Sequence, residues 1–163
     1  MADHGRMRAL SVKQPWAWSI LQGGKPVENR SRATHHRGLL IIQASQSPAP
    51  HAQVPSRAAA SQWNALGGTA ACWNAITSPS RGAYVGTATS ALIGAVTVVG
   101  CHQASGCCRP WGEAPPPGGT LWHWELENPR MFAHAIPAHG HLGIWPVPDT
   151  LATRVGRALR SAR

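Results

Sequence analysis

Acidic residues are scarce in this 163-residue sequence: two Asp and four Glu stand against fifteen Lys and Arg. With so few carboxylates, a Ser-His-Asp catalytic arrangement is not expected. No run approaches the roughly 18 consecutive apolar residues of a membrane span, which argues against a membrane protein. The first ten residues also lack the apolar stretch of a secretory signal, so a cytoplasmic protein is expected. Cysteine is limited to positions 72, 101, 107 and 108. Four irregularly spaced thiols do not make a disulfide scaffold, and a reducing compartment would leave them free. Cys101, His102, Cys107 and Cys108 contain metal-ligating groups, but two adjacent pairs are not the spacing of a zinc ribbon or finger. Neither a metal nor any other cofactor is expected, and no internal repeat is visible.

What is abundant is arginine, thirteen residues against two lysines, giving a formal charge of +9. Such a surface carries a positive field that attracts phosphate, and a planar guanidinium grips phosphate or a guanine edge with two donors at once. A GC-rich genome also favours Arg over Lys, together with the Ala, Gly, Pro and Trp seen here. It does not explain the lack of acids. The length suits one domain with a single core.

Residues 1–7 have no apolar periodicity and read as a flexible tail. Alternation over Ala9–Lys13 predicts a half-buried strand, followed by a short helix with Pro15 in its first turn, an apolar face of Trp16, Ile20 and Leu21, and a stop at Gly23-Gly24. Val27–Ser31 is extended. Leu39–Ile42 reads as a buried strand, and Ser47–Ser56 as a loop leading into an Ala-rich helix over Arg57–Leu66. The segment 46–89 is the hardest to read, its part from Gly67 to Thr89 suggesting an inserted loop with one short helix. Ala91–Val99 is the strongest strand signal, with Gly94 marking a bulge or bend. Cys101–Gly119, containing Pro115-Pro116-Pro117, reads as loop. Leu121–Leu126 makes a strand with Trp122, Trp124 and Leu126 on one face. Asn128-Pro129-Arg130 reads as a turn and Gly140–Val147 as the last strand. Residues 149–163 form a basic helix capped by Asp149, with Leu151, Val155 and Leu159 on its inner side and Arg154, Arg157, Arg160 and Arg163 toward solvent.

The chemistry concentrates in Gly24-Lys25-Pro26-Val27-Glu28-Asn29-Arg30. Two-residue periodicity puts Glu28 and Arg30 on one face and Lys25, Val27 and Asn29 on the other, unless Pro26 breaks the alternation at its start. On spacing alone this is a ladder of paired charges. Together with Leu10-Ser11-Val12-Lys13-Gln14-Pro15-Trp16-Ala17 and Arg37-Gly38-Leu39-Leu40-Ile41-Ile42-Gln43-Ala44-Ser45, it resembles the ASCH domain, the ASC-1 homology domain of the PUA-like superfamily. Ile93-Gly94-Ala95-Val96 and the stretch from Trp124 to Trp145 extend the resemblance, which runs in order over residues 8–148.

The resemblance implies an α+β fold, a small PUA-like β-barrel with flanking helices, and a cleft beside the Gly-x-Lys-x-x-Glu-x-Arg motif. It further implies a module that binds RNA or DNA with Lys13, Trp16, Lys25, Glu28, Arg30, Arg37, Ser45 and Trp124 as ligand-facing residues. Physically, Trp offers a stacking face, Lys and Arg take phosphate, and Glu and Ser read a base edge. A small hydrolase of the same fold, an N4-acetylcytidine amidohydrolase or a ribonuclease, is the alternative, with Lys25 and Glu28 as its acid–base pair. Against it, relatives with that amidohydrolase activity carry Thr where this chain has Glu28. A protein-interaction module using exposed Trp and Arg is the third reading.

Overall fold

The computed structural model describes residues 5–77 and 84–163. In chain order these form β1 (Arg8–Val12), α1 (Trp16–Leu21), β2 (Val27–Arg30), β3 (Gly38–Ala44), α2 (Arg57–Ala65), α3 (Gly68–Thr77), a 3-10 turn (Val85–Thr87), β4 (Ala91–Gln103), β5 (Trp122–Pro137), β6 (Ile144–Pro146) and α4 (Asp149–Ser161). The strands make one sheet in the order β2-β5-β4-β3-β1-β6. β1 pairs with β3 in parallel, and every other pairing is antiparallel. The sheet curls into a half-barrel, so the α+β architecture expected from the sequence is the one observed. No helix among the described residues is long and apolar enough to cross a membrane.

Alternation along the central strands supplies two cores, one on each face. Leu40, Ile42, Ile93, Val96 and Val98 pack with Trp18, Ile20 and Leu21 of α1. On the other face Ile41, Leu92, Ala95, Phe132 and Ile136 pack with Trp145 and with Val155 of α4. Gln14 is the polar staple of the first core: fully buried, it donates from Nε2 to the Gly86 and Ala88 carbonyls and accepts from the Trp18 N–H through Oε1. A buried amide with both ends satisfied ties α1 to the 3-10 turn.

Several local expectations are corrected. Pro15 precedes α1 as its N-cap, and Trp18, not Trp16, is its fully buried aromatic residue. β4 runs on through Cys101, His102 and Gln103, because these pair with Trp124, His123 and Trp122 of β5, and ladder hydrogen bonds override weak propensity. The loop therefore begins only at Ala104. Asn128-Pro129-Arg130 does not reverse the chain: Ala95 pairs with Arg130 and Thr97 with Glu127, so one extra residue is absorbed as a bulge, with Asn128 at φ +51. A bulge is where a strand tolerates proline.

The Gly94 bulge is present as a register shift between Leu92 and Gly94. The last strand shrinks to Ile144–Pro146. Asp149 lies inside the first turn of α4, behind Pro148, and pairs with Arg6 at 3.2 Å instead of capping. Within 67–89 the chain forms α3 and the 3-10 turn, with residues 78–83 outside the described residues. Residues 1–4 of the expected tail are also outside them, while the carbonyl of Met7 accepts from the Val147 N–H.

Candidate functional site

β2 is an edge strand, and its four residues present the motif. Glu28 is opposite Trp124 and Arg30 opposite Trp122 in the β2–β5 ladder. Directly paired residues share a face, so both charges stand with the aromatic side of β5. Lys25 joins them, not Asn29: its Nζ donates to Glu28 Oε2 at 2.8 Å and to the Val27 carbonyl. Pro26 breaks the two-residue alternation, which turns the lysine toward the carboxylate. The other oxygen of Glu28, Oε1, accepts from Arg30 Nε at 3.1 Å.

Burial divides the three. The side chains of Lys25 and Glu28 are 3% and 9% exposed, that of Arg30 28%. Arg30 donates from Nη2 to the Ser11 carbonyl at 2.9 Å, and its guanidinium carbon lies 5.8 Å from the Trp124 ring centroid. Ser11 follows the part of β1 that pairs with β6, so Arg30 bridges from one edge strand of the half-barrel to the strand near the other. Its remaining N–H donors have no partner among the described residues. Two cations share one carboxylate, leaving a net positive charge whose only solvent-facing part is Arg30.

The other residues expected at a cleft are dispersed. Lys13 is exposed in the turn after β1, whose carbonyl accepts the Trp16 N–H, and Trp16 is half-buried against the first core. Trp124 is buried and donates from Nε1 to the Arg32 carbonyl, so only its ring face under Arg30 is available. Arg37 is exposed in the β2–β3 loop and folds back on the Thr34 and His36 carbonyls. Ser45 follows β3 and lies in a groove of about 400 Å³ that it shares with Ser11, Ser90, His139 and His141. Lys25 borders a smaller recess of about 140 Å³ with Ile20, Val96 and Leu126. Ser45 and Lys25, expected at one cleft, thus line two different recesses. Lys25 and Glu28, the acid–base pair of the hydrolase reading, hold one another inside the fold.

A second polar cluster, missed from spacing, forms on the opposite face of the same strands. His102 is directly opposite His123 in the β4–β5 ladder, and Asn29 is opposite His123 on the other side. Cys107 and Cys108, in the loop between the strands, complete a group whose four ligand atoms all lie within 4.8 Å of one another. Cys101 is not part of it; its sulfur accepts from the Thr34 N–H instead. A backbone hydrogen bond at Ser105, then the His102 ring, lowers the Cys107 thiol to about 6, whereas burial pushes the Cys72 thiol up to about 11. The sequence signal was incomplete because His123 is 15 residues past Cys108 and reaches the group only through the strand register.

The ASCH domain family model matches residues 10–135. The ASCH protein of Zymomonas mobilis has a similar crystal structure, with a TM-score of 0.55 and 10% sequence identity over 93% of this chain and 94% of that one. A single-substitution variant of it gives a TM-score of 0.54 and 11% identity, covering 93% and 97%. No curated protein matches the chain in sequence. At these identities the structural likeness speaks for the fold alone, and the family rests on the sequence match. That match spans most of the chain, from β1 into β5, and encloses the Lys25–Glu28–Arg30 cluster: the chain belongs to the ASCH domain family.

Proposed function

We propose that this protein is a nucleic-acid-binding ASCH module that takes a phosphate backbone and an unstacked base at the mouth of the half-barrel, around Arg30. The carrying observation is that Arg30 lies over the Trp124 ring, oriented by a buried carboxylate, with N–H donors left over on a chain of charge +9. A guanidinium held in place loses less freedom on meeting phosphate, and a cation on an aromatic face is a surface on which bases stack. Lys13, in the turn after β1, and Trp16, the first residue of α1, follow the Ser11 carbonyl that Arg30 grips, where a second phosphate and a base would reach them. Free thiols fit a reducing cytoplasm.

Fluorescence anisotropy with short single-stranded RNA, single-stranded DNA and duplex DNA at two salt concentrations tests this. Binding should fall steeply with salt and weaken in Arg30→Ala and Lys13→Glu. Lys25→Ala is the wrong probe, because it removes a buried charge partner and reports stability. Absence of binding to all three nucleic acids, or binding indifferent to both substitutions, would overturn the proposal.

A further inference from the structure

We propose that His102, Cys107, Cys108 and His123 form a closed tetrahedral zinc site that fastens the long β4–β5 loop to the ends of its two strands. The donor set is two thiols and two imidazoles, the combination that selects zinc among common divalent ions. Its dimensions fit. Cys107 Sγ lies 3.4 Å from His102 Nε2 and 3.6 Å from His123 Nδ1, and Cys108 Sγ lies 3.6 Å from His102 Nε2. Bond lengths of about 2.3 Å to sulfur and 2.0 Å to nitrogen put the S–N edge of a tetrahedron at about 3.5 Å.

The surroundings orient both rings for metal. His123 Nε2 is 3.0 Å from the Glu113 carbonyl, which can only accept, so in the neutral ring the proton is on Nε2 and the Nδ1 lone pair faces the cluster. His102 Nδ1 is 2.6 Å from Glu125 Oε1, which leaves Nε2 toward the two sulfurs. A carbonyl and a carboxylate behind the ring nitrogens are the partners that zinc-bound histidines use. Two glycines make room. A Cβ at Gly100 would lie 2.1 Å from Glu125 Oε2, and one at Gly112 would lie 2.7 Å from both Cys108 Cβ and His123 Cε1.

The loop itself supplies the reason for a metal. Residues 104–121 contain no regular element, and loops of that length are uncommon inside a compact domain, so a tether would account for this one's order. Asn29 holds the middle of it, donating to the Trp111 carbonyl and accepting from the Glu113 N–H, both at 3.0 Å. Zinc would hold its first turn. With four protein ligands no coordination position remains for substrate, so the metal is structural.

The test is metal analysis of the full-length reduced protein, followed by replacement of zinc with cobalt(II). One equivalent of zinc and the strong visible bands of tetrahedral, thiolate-bound cobalt are expected. Both should be lost in Cys107→Ser with Cys108→Ser and kept in Cys101→Ser, and Glu125→Gln should weaken cobalt binding about tenfold. Zinc should also shield Cys107 and Cys108, but not Cys101, from iodoacetamide in the wild-type protein, a readout that does not depend on the variants folding. Substoichiometric zinc, an octahedral cobalt spectrum, cobalt bands that survive the double substitution, or a Cys107–Cys108 disulfide in protein purified under reductant would each overturn the proposal.

Discussion

The two polar clusters of this protein lie on opposite faces of β2 and β5 and are built in contrasting ways. Lys25, Glu28 and Arg30 come from six consecutive residues, and their charges are matched to one another: one carboxylate accepts from both cations. His102, Cys107, Cys108 and His123 come from two strands and a loop, and their four ligand atoms lie within 4.8 Å of one another. The first cluster completes itself and leaves one guanidinium edge for a ligand. The second is a set of donors gathered around a point, the arrangement on which the zinc proposal rests.

The comparison is broken most severely from the first cluster. Lys25→Met should lower unfolding free energy by about 3 kcal/mol, since a buried pair that loses one member leaves a desolvated charge; the exposed Lys13→Met should change it by less than about 0.5 kcal/mol. Urea denaturation of the two variants side by side measures the difference. If both are equally mild, Lys25 is not the buried partner of Glu28.

In the second cluster the partner is the metal, so its removal replaces the mutation. At free zinc about 100-fold above the dissociation constant, the reduced protein should be about 2.7 kcal/mol more stable than in excess chelator. Thermal unfolding with and without chelator shows this, and an unchanged midpoint would mean that the loop is held by Asn29 alone. Buried Cys72, its thiol raised to about 11, stays protonated at pH 8 and should resist alkylation in either state.

A subtler variant separates orientation from ligation. Gly100→Ala would push the Glu125 carboxylate off His102 without touching a ligand, and should weaken cobalt binding about tenfold, or about 1.4 kcal/mol, while leaving the tetrahedral spectrum intact. Loss of the spectrum itself would mean that the strand had shifted. The smallest effect belongs to the exposed edge of the first cluster. Lys13→Ala should reduce the slope of log affinity against log salt by about one, with fold and metal content unchanged.

Much of this was open to sequence reasoning. Alternation over Ala9–Lys13 and the β-branched run Ala91–Val99 located β1 and β4, and the Gly24–Arg30 and Arg37–Ser45 motifs pointed to the ASCH domain, because motifs and propensity are local properties of a chain. The proximity of Lys25, Glu28 and Arg30 was equally legible, two to five residues being within side-chain reach. What local pattern could not convey was burial: Lys25 and Lys13 are both lysines beside short elements, and only packing puts one inside a charge network and the other in water. Nor could it convey register. The β4–β5 ladder continues past the point where propensity fades, setting His102 against His123 from 21 residues away. Pairing across strands is decided by the summed hydrogen bonds and contacts of the whole sheet, so a ligand set split between two strands and a loop exists only once the tertiary structure has formed.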